Sequence, residues 1–431
     1  MKDIKRLYSH FIKHPKISTD SRKEVEGTIF FALSGQTYNG NRFAKAALNK
    51  GAALAVVDDP SVVDKQERRF FFVPDVLKAL QELAIWHRKQ FQIPLLGITG
   101  TNGKTTTKEL IFSVLKTQKE TVCTQGNLNN HIGVPITLLS LKPTTEIAVL
   151  EMGANHPGEI EALCRIANLT HGIITNIGKA HLEGFGSYEA VIKTKNELYE
   201  SIRKSNGVVF FNQNDTLLQK LSEGIQRISY GASDAEITGR LLDSKPFLSI
   251  QWNSENGTQD IQTKLYGNYN FNNVMAAIAV GRYFGITTEN IKLGIENYIP
   301  KNNRSQIVKT ARNTIILDAY NANPGSMLLA IENFSRQSFD NKILILGDMF
   351  ELGKYSKKEH QKIIDLLKDR DFKQVIFVGK DFFSLPDTGN YTAFKTTEEA
   401  GVYLSNRKLS NHTILIKGSR GMQLETLVKY L

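Results

Sequence analysis

The sequence predicts an α/β protein of three domains, and three observations carry that reading. At 431 residues the chain exceeds one typical domain and suggests about three of roughly 100–200 residues each. A glycine-rich stretch, Gly97-Ile98-Thr99-Gly100-Thr101-Asn102-Gly103-Lys104-Thr105-Thr106-Thr107, follows the apolar run Ile93 to Leu96 and opens a helical segment. Beyond Tyr298-Ile299-Pro300-Lys301-Asn302-Asn303-Arg304, a polar linker opened by proline, the alternation of short strands and helices restarts. These signals set domain boundaries at 1–86, 87–299 and 300–431.

Composition narrows the class. Apolar content of 41% is ample for real cores. No run approaches the roughly 18 uninterrupted apolar residues of a membrane span, and the start, Met1-Lys2-Asp3-Ile4-Lys5-Arg6, lacks a signal-like apolar region. The expected location is the cytoplasm. Cys123 and Cys164 make no disulfide framework and no paired metal spacing, so both are expected in the core. The net charge of +11 suits small polyanionic substrates. Without a dense basic run interleaved with aromatics, nucleic acid is not expected as a partner.

In the first domain, Thr28 to Leu33 and Ala53 to Asp58 read as strands and Asn41 to Lys50 as a helix. Ser18, Ser21 and Arg22 precede the first of these strands and Ser34 follows it. Hydroxyls and an arginine at strand ends suit a phosphorylated or nucleotide ligand, or ordinary turn chemistry. Leu77 to Gln90 reads as a linking helix into the glycine-rich stretch.

That stretch has the chemistry of a phosphate cradle. Its glycines let successive N–H groups curl inward at the positive end of a helix, where phosphate charge is stabilised. Lys104 is placed to reach the β- and γ-phosphates and Thr105 to set its hydroxyl on Mg²⁺. Strict spacing asks for glycine where Ile98 stands, with Gly97 and Gly100 on either side. Next, Ile147 to Leu150 runs into Glu151, and Gly172 to Asn176 runs toward His181. Ligands of open α/β sheets sit outside the carboxyl ends of parallel strands, so Glu151 and His181 are expected to face the crevice of Lys104. A carboxylate there suits Mg²⁺, and an imidazole suits a second metal.

After Gly186, Tyr188, Val191, Ile192, Lys195, Leu198 and Tyr199 fall on one helical stripe. Lys195 is the charged residue on that apolar face: it snorkels, is paired, or is chemically altered. Lys193 is expected to face water. Two amide-rich stretches follow the same logic. One is the Gly126-to-Pro135 loop carrying Asn127, Asn129 and Asn130; the other is Gly267-Asn268-Tyr269-Asn270-Phe271-Asn272-Asn273, which enters the helix Val274 to Val280. Asparagine in the second stretch reads a purine edge or caps the helix, while the first is otherwise a long turn. In the last domain, strands are expected at Thr314 to Leu317, Lys342 to Leu346, Gln374 to Val378 and Thr413 to Ile416. Their ends carry Asp318-Ala319-Tyr320-Asn321-Ala322-Asn323-Pro324, Gly347-Asp348-Met349-Phe350-Glu351-Leu352-Gly353, Gly379-Lys380 and Lys417-Gly418-Ser419-Arg420.

Taken together, these motifs resemble the Mur ligases of peptidoglycan synthesis over nearly the whole chain. Gly100 to Thr106 is common to the wider family. The Asn127-to-Pro135 loop, Glu151-Met152-Gly153-Ala154, Ala180-His181-Leu182-Glu183-Gly184-Phe185 and the three strand-end motifs at Asp318, Gly347 and Lys417 resemble the branch that adds D-alanyl-D-alanine. The resemblance implies an N-terminal domain for a UDP-sugar-peptide, a central P-loop-type ATPase domain on a mostly parallel sheet, and a C-terminal Rossmann-like domain. It also implies an ATP-dependent ligase using Mg²⁺, with UDP-N-acetylmuramoyl-tripeptide and D-alanyl-D-alanine as partners and a monomer as the working unit.

Matching positions imply the roles. Gly100, Thr101, Asn102, Gly103, Lys104, Thr105 and Thr106 hold ATP phosphates, Asn270 and Asn273 contact adenine, and Arg304, Asp318 and Asn321 lie near the phosphates or ribose. Thr105 and Glu151 hold one metal, and Glu151 with His181 a second. Lys195 matches a lysine that takes up CO₂ as a carbamate facing the metal site. Ser18, Ser21, Arg22, Ser34, Asn127, Asn129, Asn130, Asp348 and Ser419 are the implied substrate contacts, the last two for D-alanyl-D-alanine. Arg304 follows Asn303 where the family often has glycine.

The rival within the family adds a diamino acid at the third position and carries an Asp-Asn-Pro-Arg motif, which this sequence lacks. A folylpolyglutamate-type ligase leaves the first domain unexplained. A catalytically silent nucleotide-binding protein on the same fold is the alternative from another class.

Overall fold

Short runs of Ile, Val, Leu and Phe bounded by turn residues become buried strands, and the longer periodic segments become the helices that cover them. The computed structural model describes residues 2–64, 66–386 and 391–431, and these form three sheets. The first is parallel throughout, in the order Ile17–Ser18, Ile29–Phe31, Leu54–Val57, Phe70–Phe72. The expected helix at Asn41 to Lys50 is split, a 3-10 turn over Gly40–Phe43 running into an α-helix over Ala44–Asn49. Helix Val76–Arg88, capped by the Asp75 side chain, leads out of this unit. The buried Arg88 then ties the helix end to the central domain, its guanidinium donating to the carbonyls of Phe91, Ile93, Ala167 and Asn168.

The central sheet runs Gly257–Tyr266, Phe247–Ser254, Ile237–Asp243, Gln226–Gly231, Val208–Asn212, His171–Ile174, Leu95–Thr99, Ile147–Glu151, Thr121–Cys123. From Ile237–Asp243 to Thr121–Cys123 every pairing is parallel, and the two strands beyond are antiparallel. One face packs on helices Lys104–Leu115, Phe271–Tyr283 and Thr288–Asn297. The other packs on Val76–Arg88, Glu159–Ala167 and Tyr188–Lys204. Both cysteines are buried within this domain, and loss of solvation pushes their thiols up, to about 11 for Cys123 and about 12 for Cys164.

The third sheet begins with an antiparallel edge strand, Gln306–Lys309, directly after the proline-opened linker. It continues Thr314–Asp318, Thr413–Lys417, Lys342–Gly347, Gln374–Val378, Thr392–Phe394, all parallel. Thr413–Lys417 inserts between Thr314–Asp318 and Lys342–Gly347, and the helix leading into it, Thr397–Arg407, lies on the face opposite Pro324–Arg336. A crevice opens at the carboxyl ends of these strands, next to Asp318 and Lys417.

One buried group sets a pH response of the fold. His171 is 8% exposed among Phe210, Tyr283 and Phe284, and desolvation pushes its pKa down to about 4. The unfolded chain therefore binds the extra proton first. Stability is full above the ordinary histidine value of about 6.5 and falls as pH drops toward 4, by about 3 kcal/mol in all from this group. His171→Phe should flatten the pH dependence of the unfolding free energy across that window, measured by urea titration at several pH values.

Candidate active site

The cradle starts from glycine geometry. Gly103 has φ 80°, and a Cβ there would lie 2.6 Å from the Asn273 side-chain oxygen, so only glycine fits. The loop is pinned to the end of the neighbouring strand, with Thr101 N–H donating to the Asn176 carbonyl at 2.9 Å and Asn102 N–H to the Asn176 side chain at 3.0 Å. Lys104 heads the following helix and folds back, its ammonium donating to the Gly100 and Thr101 carbonyls at 2.6 and 3.0 Å. Loss of solvation pushes the Lys104 pKa down to about 8, against the attraction of Glu151.

Glu151 ends the next parallel strand and is 2% exposed. Thr105 donates to one of its carboxylate oxygens at 2.8 Å and Asn129 to the other at 2.9 Å. Thr124 accepts its backbone N–H at 2.9 Å. A hydroxyl and a carboxylate oxygen side by side under the phosphate cradle are the hard donors Mg²⁺ prefers, so the residues fit that ion. His181 heads the short helix Leu182–Phe185 with left-handed backbone, φ 51°. Its Nδ1 meets the Glu351 carboxylate of the third domain, and the imidazole beside it holds the Glu351 carboxyl below the usual range.

Lys195 is 2% exposed, which excludes snorkelling, while Lys193 is exposed as expected. Its ammonium lies 5.6 Å from the Phe185 ring centre, and among the described residues it has no ion pair. Burial first, then the Lys104 charge, push its pKa down to about 7. Asn273 donates to the Asn270 side chain at 2.8 Å and accepts from Thr107 at 3.0 Å.

The third domain completes the enclosure. Asp318 accepts from Lys417 at 2.6 Å and from the Ser305 N–H at 3.1 Å. The Arg304 guanidinium stacks on Tyr320, 3.7 Å from the ring centre. Asn323 caps helix Pro324–Arg336 and donates to the Asn102 side chain at 2.8 Å, joining the third domain to the cradle. The resulting cavity of about 1040 Å³ is lined by Thr101 to Thr106, Asn129, Asn130, Glu151, His181, Asn270, Asn273, Arg304, Asp318 and Asn321. It is lined also by residues to which sequence reasoning gave no role, among them Glu159, Asn212, Tyr320, Asn323 and Lys417. Polar residues at strand ends were the signal for the last three.

Other expected residues lie outside that lining. Gly100 and Lys195 are buried and take no part in it. Asn127 is exposed, its carbonyl accepting the Asn129 N–H at 2.7 Å. In the first domain, Ser18 donates to the Asp20 carbonyl at 3.2 Å, the Ser21 carbonyl accepts from Lys50 at 2.9 Å, Arg22 pairs with Asp20 at 2.8 Å, and Ser34 bonds Asn39 at 3.1 Å. Asp348 is buried, its carboxylate accepting the Asp381 and Phe382 N–H groups at 2.9 and 3.0 Å; loss of solvation raises its pKa. Ser419 accepts the Phe350 N–H at 2.8 Å. Asp348, His360 and Asp381 stand close enough together to hold a metal. However, His360 Nε2 accepts the Met349 N–H at 2.9 Å and Nδ1 lies 2.8 Å from the Ser356 carbonyl, so both ring nitrogens are already engaged.

Known proteins resemble this chain in sequence and fold. The model of the Mur ligase family catalytic domain matches residues 15–88, that of the Mur ligase middle domain 98–281, and that of the Mur ligase glutamate ligase domain 303–420. The UDP-N-acetylmuramoyl-tripeptide–D-alanyl-D-alanine ligase of Bacillus subtilis is 36% identical, over 96% of this chain and 92% of its own. A crystal structure of MurF from Acinetobacter baumannii superposes with a TM-score of 0.86 at 31% identity, over 96% of this chain and 92% of that one. MurF ligase from Thermotoga maritima, solved with ADP, superposes at 0.83 with 25% identity over 97% of each chain. With this cavity, this domain order and relatives of this identity along nearly its full length, the chain belongs to the Mur ligase family.

Proposed function

We propose that the chain is an ATP-dependent ligase that joins D-alanyl-D-alanine to a UDP-N-acetylmuramoyl-tripeptide, acting as a monomer in the cytoplasm. The observation that carries this is the convergence of Lys104, Thr105, Glu151 and His181 of the central domain with Arg304, Asp318 and Asn321 of the third in one cavity. Among the described residues no helix is long and apolar enough to cross a membrane.

In this reading residues 1–86 receive the UDP-sugar-peptide through Ser18, Ser21, Arg22 and Ser34, 87–299 bind ATP, and 300–431 close over both. The cradle from Gly100 to Thr106 holds the phosphates, with Lys104 facing the β- and γ-groups. Asn270 and Asn273 read adenine, while Arg304, Asp318 and Asn321 hold the triphosphate or ribose. The tripeptide carboxylate attacks the γ-phosphorus as the bond to ADP breaks, giving an acyl phosphate. The D-alanyl-D-alanine amine then attacks the acyl carbon, phosphate leaves with the bonding pair, and the amine loses a proton.

Thr105 with Glu151, and Glu151 with His181, are the ligands for two Mg²⁺ ions, which when bound neutralise phosphate charge. Lys195 carries a carbamate: its uncharged amine attacks CO₂ and loses a proton, replacing a buried cation beside Lys104 with an anion. Asn127, Asn129 and Asn130 border the tripeptide end. Asp348 and Ser419 shape the D-alanyl-D-alanine edge, Ser419 by holding the Phe350 N–H and Asp348 by holding those of Asp381 and Phe382.

The test is phosphate release from ATP and Mg²⁺ with UDP-N-acetylmuramoyl-tripeptide, with and without D-alanyl-D-alanine, and the product weighed. Release that needs both substrates, with a product heavier by the dipeptide less water, is expected. Release indifferent to the dipeptide would overturn the assignment.

A further inference from the structure

Glu351 belongs to the third domain, in the turn after strand Lys342–Gly347, yet its carboxylate meets Nδ1 of His181 in the central domain. The backbone doubles the contact, Glu183 N–H donating to the Glu351 carbonyl at 3.2 Å. Two residues on, Gly353 lies against Glu183, and Tyr355 packs on the central core. Both partners hold left-handed backbone, φ 51° at His181 and φ 62° at Glu351. Non-glycine residues adopt it at a cost, and it persists where surrounding contacts enforce it.

An imidazole whose Nδ1 faces a carboxylate favours the proton on that nitrogen and the lone pair on Nε2. His181 lines the cavity, so Nε2 is the nitrogen left for a ligand there. Metal-binding histidines are commonly oriented by a carboxylate on the other ring nitrogen. Here that carboxylate arrives from another domain.

We infer that Glu351 is a positioning residue that fixes the His181 imidazole for a cation, so that the second metal position is complete only when the third domain is docked. This rests on the reading of His181 as a metal ligand. Closure and metal binding then become one event: an undocked third domain leaves the imidazole free to rotate, and the site waits for the substrates that bring the domains together.

The experiment is a Mn²⁺ titration of the full chain with a non-hydrolysable ATP analogue and UDP-N-acetylmuramoyl-tripeptide, free Mn²⁺ being read by electron paramagnetic resonance. Glu351→Ala should weaken the looser of two sites by about tenfold and leave the tighter one unchanged. Glu351→Gln, whose amide oxygen still accepts from Nδ1, should recover most of that loss. His181→Ala should weaken the same site, and the double variant should bind no worse than His181→Ala alone, because Glu351 acts through the ring. Unchanged Mn²⁺ binding in Glu351→Ala, or losses that multiply in the double variant, would overturn the inference. A different result, both ions retained in His181→Ala, would instead remove His181 from the metal site and take the underlying reading with it. Circular dichroism confirms that each variant is folded.

Discussion

Replacing Lys104 with Ala should leave a folded protein whose ATP-dependent ligation falls by on the order of 10³-fold or more. The effect is electrostatic. The ammonium is held over the cradle by the Gly100 and Thr101 carbonyls, in a cleft where lost solvation strengthens its interaction with any bound phosphate. It is therefore preorganised for charge that develops as the γ-phosphoryl group transfers. The buried Gly100 and Thr101 carbonyls lose a donor, a cost of about 1–3 kcal/mol, so the melting temperature should fall by a few degrees while the fold is kept. Phosphate release and calorimetry on the same preparation check both halves. Near-normal turnover would remove the cradle from the mechanism.

Lys195→Met should separate activity from stability in the opposite sense. Lys195 has no ion pair among the described residues; burial and the Lys104 charge oppose its ammonium, and Glu159 and Glu197 attract it only from beyond ion-pairing distance. Methionine fills a similar volume without an uncompensated polar end, and the unliganded protein should gain about 1 kcal/mol or more. Ligation should fall by at least about 10²-fold, because the anion that a carbamate brings to the metal site is lost. Urea unfolding and steady-state rates read the two effects. Intact mass under CO₂-retaining conditions should show the wild-type chain heavier by one CO₂ and the variant unmodified. A variant that is both stable and fully active would make Lys195 a packing residue.

The elements legible beforehand were those whose burial is complete. Leu54–Val57 and Ile147–Glu151 are buried at every position, and an unbroken apolar run needs no partner to be recognised. The strands at Ile237–Asp243, Phe247–Ser254 and Gly257–Tyr266 escaped notice because their outer faces are wet and polar residues interrupt each run. The same division holds in the site. Lys104, Glu151 and His181 sit at strand ends within short strings of functional residues, so chain order alone groups them. Asn102 and Asn323 are separated by 221 positions, and Glu351 reaches His181 from a different sheet. No local pattern encodes those pairings, since each depends on how one domain seats on another. For Lys195, the helical stripe revealed that the side chain points inward, whereas its lack of a counter-ion depends on which groups the other elements bring near.

The seating of the third domain is uneven. Tyr266, from the outermost strand of the central sheet, is fully buried in the third domain's own core beside Ile316, Met327 and Phe334, and Tyr269 bonds Ser305 at 2.8 Å close by. The Glu351–His181 and Asn102–Asn323 contacts, by contrast, are polar and partly open to water. Extracting a buried aromatic ring costs several times what exchanging an exposed hydrogen bond with water does. If the two domains part, they should do so like a door, with Tyr266 as the pin and the polar pairs as the latch.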